Sequence, residues 1–415
     1  MIDRKLVCLF CIVTFAWLIA VEAAHCQIST SGRDCSAYPY APPFPTAPAS
    51  YVPRYHGIGQ KFLDMEKGVG PVTPSEYAIL DALLDEAKQR LQPIPAELHA
   101  GDYDTFAVNS LKTMDCILVR HGFVYPGVGL VQLLSDGLDP TNFTGIYYTK
   151  LIRKPHNDGR QAFIEKRNPG PFYVVDCDIA SILYLSVGEL MGYPLAMVDL
   201  PGHNFIRWKR PDGTFIDFET MDGIQTDDDY YVSGRGIPQS FVGKPGVLTT
   251  MTPAELIAYE YFGLGLSYSW KHDYPQTIQN YLKAISADAT LNDSANNLSW
   301  FYAVNPEAKW RDPKKAVAYG KQSTDILANG DTLDTLACAY ALAGDFPNAI
   351  QTEQKAIDTG WTPQGSNLSD DMKTLVAHQQ CTDPDFGRDT HVFRQAATIP
   401  LSPPSKTGDE IRPKR

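Results

Sequence analysis

Apolar side chains fall into a helical rhythm from position 73 onward. Thr73-Pro74-Ser75-Glu76 places a threonine cap, a proline at the first helical position and a glutamate where a capping box needs one. Tyr77, Leu80, Leu83, Leu84, Ala87 and Leu91 then form one stripe, which Pro93 and Pro95 end. The spacing predicts a second helix over Thr105–His121, with Phe106, Leu111, Met114 and Leu118 inward, and a short third over Leu130–Leu134. Gly145–Tyr148 reads as a strand, and the polar run Arg153–Gly170 as an exposed loop. A further helix begins near Cys177, with Ile179, Ile182, Leu183, Ser186, Val187 and Leu190 on one face, and stops at Gly192 and Pro194. Two extended segments follow, His203–Lys209 and Thr214–Glu219, turned by Pro211-Asp212-Gly213. The second alternates so that Asp217 and Glu219 share a face.

From Met251 the pattern is helical only, and three segments share a phase, beginning at Asp273, Asp312 and Asp345. Tyr268 and Tyr340 each stand five positions before their aspartate, and Lys283-Ala284-Ile285 matches Lys355-Ala356-Ile357. The step from Asp312 to Asp345 is 33 residues, close to the period of tetratricopeptide repeats, and the step of 39 before it implies an insertion around Asn305–Trp310. Stacked helix pairs of this kind present a surface to a peptide or protein, or else only extend a core. The change of pattern puts a boundary at residues 230–255, with Gly234, Gly236, Gly243 and Gly246 in the connection.

The ends differ from the body. Arg4 and Lys5 precede an apolar run from Leu6 to Ala20, and Val21-Glu22-Ala23 offers a small-residue cleavage site. Residues 1–23 are expected to be an export signal, or a membrane anchor if left uncleaved. Residues 24–60 read as a proline-rich linker, so that folding would begin near Thr73. Beyond Gly360 order is expected to fall away, with residues 361–415 an extension whose end is disordered.

Composition narrows the partners. The net charge of −12 argues against nucleic acid or an anionic membrane surface. Export implies an oxidising compartment. Cys26 and Cys35, close together in a Ser/Gly-rich stretch, are the expected disulfide, whereas Cys116 and Cys338 sit on apolar helical patterns and read as buried small hydrophobes. Cys8 and Cys11 lie in the expected export signal; the six cysteines beyond it show no CxxC pair, so a zinc site is not indicated, and no metal or organic cofactor is expected.

Cys177 at a helix start, His203 opening a strand and an acid on the next strand supply a thiol nucleophile, its base and a group to orient the base. The order and contexts resemble the transglutaminase-like superfamily, which shares the papain-like fold, and within it the bacterial SirB-like branch often fused to tetratricopeptide repeats. The residues carrying the resemblance are Cys177 before Ala180-Ser181-Ile182, Leu200-Pro201-Gly202-His203, and Phe215-Ile216-Asp217. It implies an α+β fold, with a papain-like, transglutaminase-like domain over 61–245 and an all-α repeat domain over 251–360. It also implies Cys177 as nucleophile, His203 as base and Asp217 as third member. Hairpin geometry points elsewhere. If Arg210 pairs with Thr214, then Asp217 lies opposite Arg207, four residues and about 14 Å from His203, and Glu219 is the nearer acid.

The branch usually carries a small or amide residue just before the cysteine; here Asp176 stands there and Asp178 follows, and two carboxylates disfavour a thiolate. Asp176 is also placed to cap the helix. Tyr173, Asn204, Trp208 and Asp222 lie near enough in sequence to support an oxyanion, to contact substrate or to pack in the core. Two functions follow: an exported, periplasmic or secreted cysteine hydrolase or acyltransferase on a peptide or amide bond, which recruits a protein or peptide through its repeats, or a non-catalytic envelope scaffold on a retired papain-like domain.

Overall fold

The structure is a computed structural model that describes residues 35, 41–70, 72–124, 133–139, 171, 173–363, 366–383 and 386. The expected export signal, Cys26, the strand at Gly145–Tyr148, the loop at Arg153–Gly170 and the end of the chain lie outside these residues.

The fold is α+β, helices around a small antiparallel sheet. The first half holds α1 (Ile58–Glu66), α2 (Pro74–Arg90), α3 (Ala100–Arg120), a short α4 (Leu134–Leu138) and α5 (Cys177–Met191). The capping box of α2 forms as its sequence spells: the Thr73 hydroxyl accepts from Ser75 N–H, and the Glu76 carboxylate accepts from Thr73 N–H at 2.6 Å. Leu80, Leu83 and Leu84 are buried, each contributing about 2 kcal/mol relative to exposure.

Folding begins earlier than Thr73. The proline-rich segment is a strap rather than a free linker. Phe44 stacks on His121 with ring centroids 4.3 Å apart. Tyr51 Oη and Arg54 N–H donate to the buried Asp81, each at 2.7 Å, and Tyr55 Oη donates to Asp85. An extended proline-rich backbone makes no ladder of its own, so tyrosine hydroxyls reaching acids on α2 hold it in place.

Two short parallel strands, β1 (Phe123–Val124) and β2 (Tyr173–Val174), lead to α5. The five-stranded sheet follows: β3 (Leu195–Leu200), β4 (His203–Lys209), β5 (Phe215–Glu219), β6 (Ile224–Thr226) and β7 (Thr249–Thr250), in spatial order β6-β5-β4-β3-β7. Met197, Ile206, Trp208, Ile216 and Phe218 join the core shared with α2, α3 and α5. Val198, Leu200 and Phe205, on the other face, meet Tyr231 of α6 (Asp228–Arg235) and the loop carrying Phe241 and Val247. Strand β4 is therefore buried on both faces from His203 to Trp208. Because β7 pairs with β3, the sheet runs past the expected limit at residue 245.

The remainder is helical: α7 (Pro253–Trp270) with α8 (Tyr274–Ala287), α9 (Asn292–Val304) with α10 (Pro313–Ile326), and α11 (Gly330–Leu342) with α12 (Phe346–Asp358). The shared sequence phase has a local cause. Asp273, Asp312 and Asp345 are the N-caps of α8, α10 and α12, each with a proline in the first turn. The tyrosine five residues earlier supplies the carbonyl that accepts the cap's N–H, Tyr268 for Asp273 and Tyr340 for Asp345, both at 2.9 Å. This is the six-to-one bond that closes a helix C-terminus, with His272 (φ 56°) and Gly344 (φ 77°) in the left-handed position it requires. In the middle pair a 3-10 turn (Ala308–Trp310) is inserted, and Asp312 N–H reaches Tyr302 O instead.

Order continues beyond Gly360. Helix α13 (Leu368–Val376) packs on α11 and α12, and Cys381 bonds to Cys338 of α11. Cys35 bonds to Cys116 of α3. The pairing of Cys26 with Cys35 is thus replaced, and the two helical cysteines are buried as expected but oxidised. The array lays the connections between its pairs along the sheet: Leu291 and Asn292 meet Asp199 and Gly246, and Leu327 and Trp361 pack with Phe241.

Candidate active site

Cys177 is the first residue of α5, and Asp176 caps that helix by accepting from Ile179 N–H at 3.1 Å. Of the five cysteines described, Cys177 alone is a free thiol, and it is half-buried. His203 opens β4 after Gly202, whose φ of 69° turns the chain into the strand. The register pairs Arg207 with Asp217, so Glu219 sits diagonally across from His203. His203 Nε2 and Glu219 Oε2 are 2.7 Å apart, both side chains buried. Glu219 Oε1 also accepts from Met221 N–H at 3.0 Å. Burial alone would raise the Glu219 carboxyl, but His203 and the Met221 N–H outweigh it and hold the group below the usual glutamate range.

Asp217 is elsewhere. Its carboxylate takes both arms of Arg207, at 2.6 and 2.9 Å, and Arg207 also reaches Asp228 of α6. The acid on the histidine is Glu219, and Asp217 does not touch the ring. The cause is a register without bulge or shear, which leaves Asp217 opposite Arg207.

The thiol has a different partner from the one its chemistry calls for. Cys177 Sγ donates to Asp178 Oδ1 at 3.7 Å, and no hydrogen bond joins it to His203. The same Asp178 oxygen accepts from Tyr259 Oη of α7 at 2.8 Å and from Asn204 Nδ2. Burial pushes the Cys177 thiol well above its ordinary range, Asp178 and then Asp176 push it further, and the Asn204 backbone N–H pulls the other way. Burial likewise raises Asp176 and Asp178, the latter against hydrogen bonds from Tyr259 and Asn204.

Tyr231 of α6 closes one side, its ring 6.0 Å from that of His203 and stacked on Phe205. Arg235, one turn further, lies close enough for the charges of Glu219 and Cys177 to act on it. Of the nearby candidates, Asn204 belongs to the site. Tyr173 and Trp208 are core: Tyr173 stacks on Phe123, and Trp208 Nε1 donates to Tyr103 Oη at 3.0 Å. Tyr259 gave no sequence signal, being 81 residues from Asp178. Among the described residues the one cluster with metal-ligand spacing, Cys35, Asp115 and Cys116, contains the disulfide, so its sulfurs are already bonded to each other.

No family model matches this chain, and no curated protein matches it either.

Proposed function

We propose that the chain is a cysteine hydrolase or acyltransferase of transglutaminase-like type, acting on an amide or peptide bond. The buried His203–Glu219 pair carries this reading. A glutamate on Nε2 fixes the ring and stabilises an imidazolium, which leaves Nδ1 to serve a thiol at the start of a helix. His203 would take the proton from Cys177 and the thiolate would add to the carbonyl carbon. Backbone N–H groups at the start of α5 would face the oxyanion. The C–N bond then breaks, the amine leaves with the proton from His203, and a thioester remains. Water resolves it to an acid, or an amine to a new amide. The papain-like architecture and the tetratricopeptide character of α7–α12 belong to the same proposal, as do Cys177 as nucleophile and His203 as base. Glu219 takes the place first given to Asp217.

Export fits the two disulfides, which persist in oxidising compartments. Among the described residues no helix is long and apolar enough to cross a membrane. Recruitment of a peptide or protein would use the surface of the array turned away from the sheet, since the connections between pairs are packed against it.

A second reading, a retired domain that only binds, draws on one observation, the thiol held by Asp178 instead of His203. Incubation with blocked peptide amides and hydroxylamine separates the two. The enzyme reading expects hydroxamate from the wild type and none from Cys177→Ala; equal signals, or none from either across the pH range, would refute it.

A further inference from the structure

We propose that Asp178 is a brake on the Cys177 thiol, a positioning residue that keeps the proton on sulfur in the resting protein, and that Tyr259 of the helical array sets it in place. The inference rests on Cys177 being the nucleophile and concerns how that nucleophile is held back.

Three donors converge on one oxygen. Cys177 Sγ, Tyr259 Oη and Asn204 Nδ2 all point at Asp178 Oδ1. An oxygen that accepts three hydrogen bonds acts as carboxylate, and a sulfur that donates to it is a thiol. Forming a thiolate there would break the S–H···O bond and set two negative groups side by side, with little water to screen them.

The other titratable and charged groups facing the thiol are Asp176 of α5, His203, Glu219, Arg235 and Tyr259, with Glu260 beyond Asp178. His203 is committed through Nε2 to Glu219. Arg235 makes no ion pair among the described residues, and it acts on sulfur only through space. Asp176 is occupied as the helix cap. Asp178 is therefore the group whose removal changes sulfur most. Tyr259 comes from α7, outside the sheet region, so the seating of the array on the sheet governs how the brake is set. Activation is passage of the thiol hydrogen bond from Asp178 to His203: the S–H bond breaks, an N–H bond forms, and the electron pair stays on sulfur.

The test is the rate of alkylation of Cys177 by iodoacetamide in the full chain against pH, read by peptide mass so that other cysteines do not contribute. The wild type should react slowly at pH 7, with a midpoint well into the alkaline range. Asp178→Asn should react at least about tenfold faster at pH 7, with its midpoint moved down by about one pH unit or more. Asp176→Asn, which keeps a capping side chain, should move it less. Tyr259→Phe should shift the midpoint in the wild type and have no further effect on Asp178→Asn. If Asp178→Asn does not fold, Asp178→Ser serves. A midpoint unchanged by loss of the carboxylate overturns the brake and leaves the nucleophile reading standing, as does a Tyr259→Phe effect of equal size in both backgrounds for the role of Tyr259. A wild-type Cys177 that resists alkylation even at pH 10 overturns the nucleophile reading itself, and the brake with it.

Discussion

Aspartate caps helices in both halves of the molecule, with opposite consequences. In the array Asp273, Asp312 and Asp345 accept from their own first turns at exposed or half-buried positions, where water and ions screen the charge. At α5 the same device is buried. Asp176 accepts from Ile179 N–H, but it is 5% exposed, a second carboxylate follows two residues later, and a thiol stands between them. The comparison teaches that a cap fixes where a helix starts and leaves its electrostatics to burial. The site thereby combines a well-formed helix terminus with a field that opposes the charge its nucleophile must acquire.

The strongest way to break this contrast is through the two acids of β5. Glu219→Gln leaves the His203 ring without an anionic partner and should lower thioester formation by about a hundredfold or more. Asp217→Asn should leave thiol reactivity near wild type and instead destabilise the fold by about 3 kcal/mol, because Arg207 loses its buried partner. Chemical denaturation and alkylation kinetics on both variants would show the split; a crossed result would return the third role to Asp217.

Next in size is a contrast of sign between two carboxyls. Glu219 is held below its ordinary range, so its stabilisation is present above an unfolded pKa near 4.5 and is lost as pH falls through its lower folded value. Glu353 in the array is the reverse. Its carboxyl is buried beside the carboxyls of Asp334 and Asp371, and burial pushes it up to about 7. It is stabilising-neutral below pH 4.5 and becomes a growing penalty as pH rises towards 7. Glu353→Gln should therefore raise the melting temperature at pH 8 and leave it unchanged at pH 4, whereas Glu219→Gln should lower it at pH 8. Calorimetry at both pH values measures each.

The smallest effect sharpens the comparison of caps. Asp345→Ala and Asp176→Ala should each cost about 1 kcal/mol as lost caps. Only Asp176→Ala should also shift the alkylation midpoint of Cys177 downward. A shift in both would mean that the array's charges reach the site.

What could be read in the sequence follows from how local each cause is. The array's phase was visible because a cap, its proline and the tyrosine carbonyl five residues back lie within one turn of chain. The start of α5 and the strand opening at His203 were visible for the same reason. The third acid was harder: two residues decide between Glu219 and Asp217, and the register that decides was available as hairpin arithmetic against a family expectation. In the sequence Asp178 shows only as a charge, since its partners Asn204 and Tyr259 stand 26 and 81 residues away. The strap reads as a linker because proline-rich composition reports an extended backbone and says nothing about anchoring. Apolar helical patterns place Cys116 and Cys338 inside, but burial does not distinguish a thiol from half of a disulfide.

The two disulfides bear on how the molecule comes apart. Chains commonly begin to unfold by peeling from their ends, where few contacts hold them. Here a residue near each end of the described body is tied to an interior helix, Cys35 to α3 across 81 residues and Cys381 to α11 across 43. Neither end can lift off without carrying a core helix with it. The first openings are thereby moved away from the two tied ends, and reduction of the bonds should speed hydrogen exchange at those ends first.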